Sequence, residues 1–260
     1  MKKSKRSSFG VPYLHFGVGE PLVLIHGLGE IKEGWLNQFE LEDQFELIIP
    51  DLRGHGQHKP FKDISIEHFA SDIINLLKEL RIQSAHICGL SMGGAVAQEI
   101  YRQAPSMCRS LLLVSTMHYV PKALGQTLSV LKHPHIKMLT SQQQKERAAR
   151  LCLYSWKGDT AKNMSRYFNP DPDAFQQSLQ ACLKVNNLSL LPKIKVPTLV
   201  IGCQYDAIIP VWVQLWMHKL IPHSEFVIMR NCGHVAKIEA KDRFNSLIRE
   251  FLTKQKQAAA

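Results

Sequence analysis

Six short runs of the chain are apolar almost throughout rather than at alternate positions: PLVLIHG at 21–27, FELIIPD at 45–51, AHICG at 85–89, SLLLVST at 110–116, TLVIGC at 198–203 and EFVIM at 225–229. Continuous apolar runs of strand length predict strands covered on both faces. Helical spacing lies between them. Over 65–80, Ile66, Phe69, Ile73, Leu76, Leu77 and Leu80 share one face behind Ser65, which suits the N-cap. Near the end, Phe244, Leu247, Ile248, Phe251 and Leu252 form a second such stripe. Strands alternating with helices in this way predict an α/β fold with a mostly parallel central sheet flanked by helices.

One stretch breaks the alternation. Residues 118–191 hold no strand candidate, only helical patterns separated by turn signals such as HPH and NPDPD, the latter offering Asp171 as N-cap and Pro172 as first helical residue. The expected organisation is a core made of 1–117 and 192–260, with 118–191 inserted as a helical cap. No internal repeat or low-complexity linker is present, so the insertion reads as part of one body.

Composition narrows the class. With 260 residues, 45% hydrophobic and 21% charged, the chain can bury a sizeable core and is not of disordered type. No apolar run reaches the eighteen residues of a membrane span, and the basic start MKKSKRSS is not followed by a signal-peptide stretch, so the expectation is a cytoplasmic protein without membrane insertion. The net charge of +10 comes without a nucleic-acid motif, so no nucleic-acid partner is expected. Six cysteines show no C-x-x-C pair, which argues for core thiols rather than disulfides or a metal site. His133 and His135 flank Pro134 without a carboxylate or cysteine cluster and read as a turn, so neither metal nor cofactor is expected.

The candidate chemistry starts at GLSMGG, 89–94, where one serine is surrounded by glycine. G-x-S-x-G alone arises by chance in about one chain in ten of this length. Its placement gives it weight: a strand pattern precedes it, and the helical GAVAQEIYRQ follows and stops before Pro105. A serine hydroxyl becomes nucleophilic only beside a base, and that base needs a carboxylate to set its tautomer. Downstream, Asp206 follows TLVIGC and His234 follows EFVIM, each just past a strand's carboxyl end. The expected triad is therefore Ser91, Asp206 and His234. The oxyanion donors expected are the N–H of Met92, next to the serine, and that of Leu28 in HGLG, 26–29. His26 in that turn is expected to organise the loop rather than to act on substrate. Asp51 also follows a strand but ranks behind Asp206 as the acid.

HGLG, DLRGHG at 51–56, GLSMGG, VPTLVIGCQYDAIIP and NCGH resemble, in order and across nearly the whole chain, the motifs of the α/β-hydrolase fold superfamily, in particular capped serine esterases such as carboxylesterases and pimeloyl carrier-protein methyl ester hydrolases. The resemblance implies an eight-stranded sheet, a cap inserted after SLLLVST, no cofactor, and hydrolysis of carboxylic esters or thioesters through an acyl-enzyme. C–C bond or enol-lactone hydrolysis by the same triad, or a non-catalytic receptor of this fold, are the alternatives. Three departures stand out. Cys203 occupies the position where the family usually has glycine, three residues before the acid; Gln57 replaces a common serine; and the portion before PLVLIHG is short, so the first strands are expected to be reduced or missing. A serine in the elbow argues against the dehalogenase and epoxide-hydrolase branches, which use aspartate.

Apolar and aromatic residues offer an acyl pocket: Trp35, Met138, Tyr154, Trp156 and Phe168, with the Met92 side chain nearby, are expected to bind a small-molecule ester with an apolar acyl group. Across 118–191, seven lysines and three arginines face one glutamate and three aspartates, a surplus of six positive charges. Two readings remain open, a solvated helical surface or a dock for an acidic acyl carrier protein, and charge reversal at Lys145, Arg147 and Arg150 separates them.

Overall fold

In a computed structural model, which describes residues 2–59, 62–123, 142–155, 159–168 and 171–259, the apolar runs assemble into one eight-stranded sheet. Its strands are β1 (Lys5–Arg6), β2 (Pro12–Phe16), β3 (Glu20–Ile25), β4 (Phe45–Pro50), β5 (Ala85–Leu90), β6 (Cys108–Val114), β7 (Thr198–Cys203) and β8 (Glu225–Met229). The spatial order is β1-β2-β4-β3-β5-β6-β7-β8. β2 pairs antiparallel with both β1 and β4, and every other pairing is parallel. The six strands expected from apolar runs all form. The amino-terminal expectation is corrected: β1 is reduced to two residues, but β2 is a full five-residue strand in register with β4 from Tyr13↔Pro50 to Phe16↔Leu47. Its half-buried sequence PYLHF lacked the continuous apolar signature of the interior strands.

β5 and β7 are buried at every position, as strands covered by helices on both faces should be. β8 is not. It lies at the sheet edge, where one flank meets no neighbour, and only Met229 is buried. Helices α1 (Ile66–Glu79) and α2 (Met92–Gln103) pack their apolar stripes into one core cluster with Ile25, Ile87 and Leu111, whereas the carboxyl-terminal helix and the 3-10 turns of Lys32–Asp43 close the other face around Leu24, Leu90 and Phe244. Each fully buried leucine or isoleucine contributes about 1.5–3 kcal/mol, so these two faces carry most of the stability. Ser65 caps α1 as expected, its Oγ accepting from His68 N–H at 3.1 Å.

Between β6 and β7 the described residues form α3 (Gln142–Leu151), α4 (Thr160–Ser165) and α5 (Pro172–Cys182), with isolated bridges Glu30↔Phe168 and Tyr119↔Asn186 as the strand-like pairings there. Asp171 caps α5, accepting from the N–H groups of Asp173 and Ala174 at 3.1 Å, with Pro172 at the first position. After β7 come α6 (Val211–Leu220) and, after β8, α7 (Ala236–Glu239) and α8 (Lys241–Ala259). No described helix is long and apolar enough to cross a membrane.

The order of strands places the site. From β3 the chain first goes to β4 on one side and then returns to β5 on the other, so the loops leaving β3 and β5 diverge at a topological switch point, where α/β sheets open a crevice at their carboxyl ends. HGLG leaves β3 there, and Ser91 leaves β5 beside it.

Candidate active site

The glycines around Ser91 are there because the chain turns from strand to helix within a single residue. Ser91 takes φ 54° and ψ −118°, a left-handed conformation unusual for a side chain with Cβ, and such strain costs about 1–3 kcal/mol. A Cβ on Gly89 would lie 2.1 Å from Gly93 O, and one on Gly93 would lie 2.3 Å from Ile25 O. On Gly94 it would strike the Thr116 side chain at 2.5 Å. Ser91 is held by its N–H donating to Val114 O at 2.9 Å and by Thr116 Oγ1 donating to its carbonyl at 2.6 Å. Met92 begins α2, so its N–H belongs to the first turn, which a helix leaves without intrahelical partners and which carries partial positive charge.

The HGLG loop lies against this elbow, since a Cβ on Gly27 would stand 3.5 Å from Ser91 Cβ. His26 organises the loop: Leu52 N–H donates to Nε2 at 3.1 Å, so Nδ1 carries the proton and donates to Gly27 O at 2.8 Å. Burial holds this imidazole below its usual range, in keeping with a neutral ring. Gly29, at φ 78°, leaves room for the Phe168 ring, which a Cβ there would meet at 2.3 Å.

Asp206 and His234 come together. His234 Nδ1 donates to Asp206 Oδ2 at 2.8 Å, with both residues buried, while Oδ1 of Asp206 accepts from the N–H groups of Ile208 and Ile209 at 2.9 and 2.8 Å. With Nδ1 protonated, Nε2 keeps its lone pair. The shifted glycine leaves Asp206 within hydrogen-bond reach of His234: Gly202 packs under Val211, and Cys203 is buried with Sγ 3.2 Å from Ser115 Oγ. The histidine loop is fixed by Glu239, whose Oε2 accepts from Gly233 N–H at 2.7 Å and whose Oε1 accepts from the N–H groups of Tyr154 and Ser155 at 2.8 and 3.1 Å. A Cβ on Gly233 would sit 2.6 Å from Cys152 O, so the segment after α3 rests directly on this loop.

The expected pocket residues divide. Phe168 lies on the HGLG loop, and Tyr154, 47% exposed, stacks on Tyr205 with ring centroids 4.5 Å apart. Trp35 is corrected: it is wholly enclosed against Phe244 and the Lys237 ammonium, inside the core, because the 3-10 turns after HGLG roll it inward. The Met92 side chain is likewise corrected, being fully buried in the core cluster that α1 and α2 form with the sheet. Met138 and Trp156, together with His133 and His135, lie outside the described residues. Asp51 is occupied elsewhere, its carboxylate accepting from Lys32 N–H and Nζ, both at 2.8 Å, and from Gln57 N–H at 2.9 Å. All six cysteines are free, and burial pushes their thiols up to about 12, or about 11 for Cys232. Among the described residues no three His, Cys, Asp or Glu side chains gather closely enough to hold a metal ion.

Sequence reasoning missed Glu30, Lys237 and Glu239. Their signal was proximity alone: each stands within five residues of His26 or His234, and nothing in the sequence marks a charge as buried.

A topological switch point between β3 and β5, a strained serine at a helix start and an aspartate-bound histidine are the marks of an α/β hydrolase. The profile of the alpha/beta hydrolase fold matches residues 20–241, and the chain belongs to this family. It is a hydrolase of the α/β type with lipase and esterase relatives. Lipase 1 of Psychrobacter immobilis is 30% identical over 240 residues, 86% of this chain and 74% of that protein. The pimeloyl-[acyl-carrier protein] methyl ester esterase of Nitrosospira multiformis is 26% identical over 251 residues, 90% of this chain and 95% of that protein. A thermophilic esterase from Thermogutta terrifontis shares the fold, with a TM-score of 0.84 at 24% identity, covering 97% of this chain and 99% of its own.

Proposed function

We propose that the chain hydrolyses carboxylic esters, or thioesters, with an apolar acyl group through an acyl-enzyme on Ser91. The observation that carries this reading is the buried 2.8 Å contact between His234 Nδ1 and Asp206 Oδ2, which leaves Nε2 as the base, together with a serine displayed on a strained elbow at a helix start. Ser91 Oγ attacks the acyl carbon as His234 takes its proton, and the N–H groups of Leu28 and Met92 receive the charge that develops on the carbonyl oxygen. His234 returns the proton to the leaving alkoxide, and water then repeats the sequence to free the acid. The described residues between β6 and β7 act as part of a cap over the acyl group, with Tyr154 and Phe168 at its border, and the positive surplus of the sequence 118–191 suits an acidic carrier as the vehicle of the acyl chain.

Fluorophosphonate labelling and turnover of short p-nitrophenyl esters, each compared with Ser91→Ala, test the scheme. Labelling with steady turnover that chelators do not abolish is the expected result. Labelling without turnover favours a ligand receptor of the same fold. Preference for a carrier-linked ester that Arg147→Glu removes, with free esters unaffected, supports carrier docking.

A further inference from the structure

The loop after β3 and the segment after His234 are joined by a buried ion pair that the hydrolytic scheme leaves unused. Lys237 is wholly enclosed and Glu30 is 5% exposed. Lys237 Nζ donates to Glu30 Oε2 and to Gly34 O, each at 3.0 Å, and lies 4.3 Å from the centroid of the Trp35 ring. The same Oε2 accepts the N–H of Gly27 at 3.0 Å. One carboxylate and one ammonium therefore tie residues 27, 30 and 34 to the helix that begins two residues after His234.

The carboxylate stands close to where the reaction would develop charge. The Cβ position built on Gly27 is 3.5 Å from Glu30 Oε2 and 3.5 Å from Ser91 Cβ, so Oε2 and the serine Cβ are within about 7 Å of each other. At that range, in a water-poor interior, an uncompensated negative charge opposes an oxyanion. A buried charge also survives only when it is paired and hydrogen-bonded. Here Lys237 and the Gly27 N–H hold Glu30 below the ordinary carboxylate range against the upward push of burial.

We propose that Glu30 and Lys237 are paired positioning residues of the oxyanion loop: the carboxylate fixes Gly27 so that the adjoining Leu28 N–H faces the oxyanion, and the ammonium cancels the charge the carboxylate would otherwise impose there. The proposal rests on the reading of Leu28 as a donor given above. It separates from mere structural support because, with folding intact, removing one partner should lower kcat more than removing both and should change its pH dependence. With Lys237 gone, burial raises Glu30; the acid is neutral at low pH and becomes a harmful anion as pH rises.

The test measures kcat and KM for a p-nitrophenyl ester across pH in the wild type, Lys237→Met, Glu30→Gln and the double variant, with thermal melting to confirm folding. Lys237→Met is expected to lose on the order of a hundredfold in kcat, comparable to loss of one oxyanion donor, with little change in KM and with a fall in rate that sets in at lower pH than in the wild type, where burial pushes the Lys237 ammonium down and its loss comes only later in the alkaline range. The double variant should regain at least about tenfold over Lys237→Met and lose the early fall, since both charges have gone. A double variant no faster than Lys237→Met, a change confined to KM, or an unaltered pH profile overturns the proposal. If Lys237→Met does not fold, Glu30→Gln, which keeps an oxygen for Gly27 N–H, is compared with Glu30→Ala, which does not; equal rates overturn the proposal and a slower alanine variant supports it. A wild type that neither turns over esters nor takes up fluorophosphonate overturns the proposed function and this inference with it, whereas an active, labelled wild type matched by Lys237→Met overturns the inference alone.

Discussion

Acidification should destabilise this protein in part through His118, and replacing that residue with phenylalanine should remove a calculable share of the effect. His118 is fully buried, neither ring nitrogen has a hydrogen-bond partner among the described residues, and its ring meets Trp216 edge to face with centroids 4.7 Å apart. Burial lowers its pKa from 6.5 to about 4. Above pH 6.5 the imidazole is neutral whether the chain is folded or not, so it adds no pH dependence. Below 6.5 the unfolded chain binds a proton that the folded one refuses, and stability falls by about 1.4 kcal/mol per pH unit until about pH 4. At pH 5 the loss reaches roughly 2 kcal/mol, which shifts Tm by about 4–8 °C for a domain of this size. Phenylalanine keeps the edge-to-face contact and removes both unpaired nitrogens, so His118→Phe should be at least as stable at pH 7.5. Urea unfolding of both proteins at pH 7.5, 6.5, 5.5 and 5.0 gives the measurement, the gap between them widening by about 2 kcal/mol in favour of the variant. Parallel loss of stability in the two proteins, with the gap constant to within about 0.5 kcal/mol, would refute the reasoning.

Other outcomes follow from the site and its supports. Ser91→Ala should lower ester turnover by about 10⁴–10⁶-fold and abolish fluorophosphonate labelling, read by mass spectrometry, with folding intact. Asp206→Asn, which cannot hold the same imidazole tautomer, should cost on the order of 10⁴-fold in kcat, measured at saturating ester. Gly93→Ala would thrust a methyl group to 2.3 Å from Ile25 O and should destabilise by about 1–3 kcal/mol, seen as a lower Tm, while also shifting the elbow and depressing turnover. His55, which burial and the neighbouring His26 depress to about 3, should reinforce the acid sensitivity: its share of stability is complete above pH 6.5 and is lost progressively as pH falls toward 3, checked by the same unfolding series on His55→Gln.

The interior of the sheet was legible because strands covered on both faces must be apolar at every position, and TLVIGC or AHICG can meet that demand in few other ways. β2 was harder to read, since a strand near the margin needs only partial burial and PYLHF mixes polar and apolar positions. The elbow turn at Ser91 and the pairing of Asp206 with His234 were legible for a different reason: each residue follows a recognisable strand, and the local turn chemistry carries the spacing. What no local pattern encodes is which charged side chains point inward. Lys237 reads as one more lysine among apolar neighbours until the fold brings Glu30, Gly34 and Trp35 around it. Trp35 failed as a pocket residue on the same ground, because closeness in sequence to the HGLG loop says nothing about which side of the following turns it occupies.

The Glu239 carboxylate gives the histidine loop and the segment after α3 a common anchor, although Tyr154 and Glu239 are 85 positions apart in the chain. If the molecule hydrolyses esters as proposed, its evolution toward new acyl groups is thereby constrained. Remodelling around Tyr154 and Ser155 tugs on the seat of the imidazole, so gains in selectivity there should arrive together with altered chemical rates, and directed changes elsewhere on the rim offer the freer route.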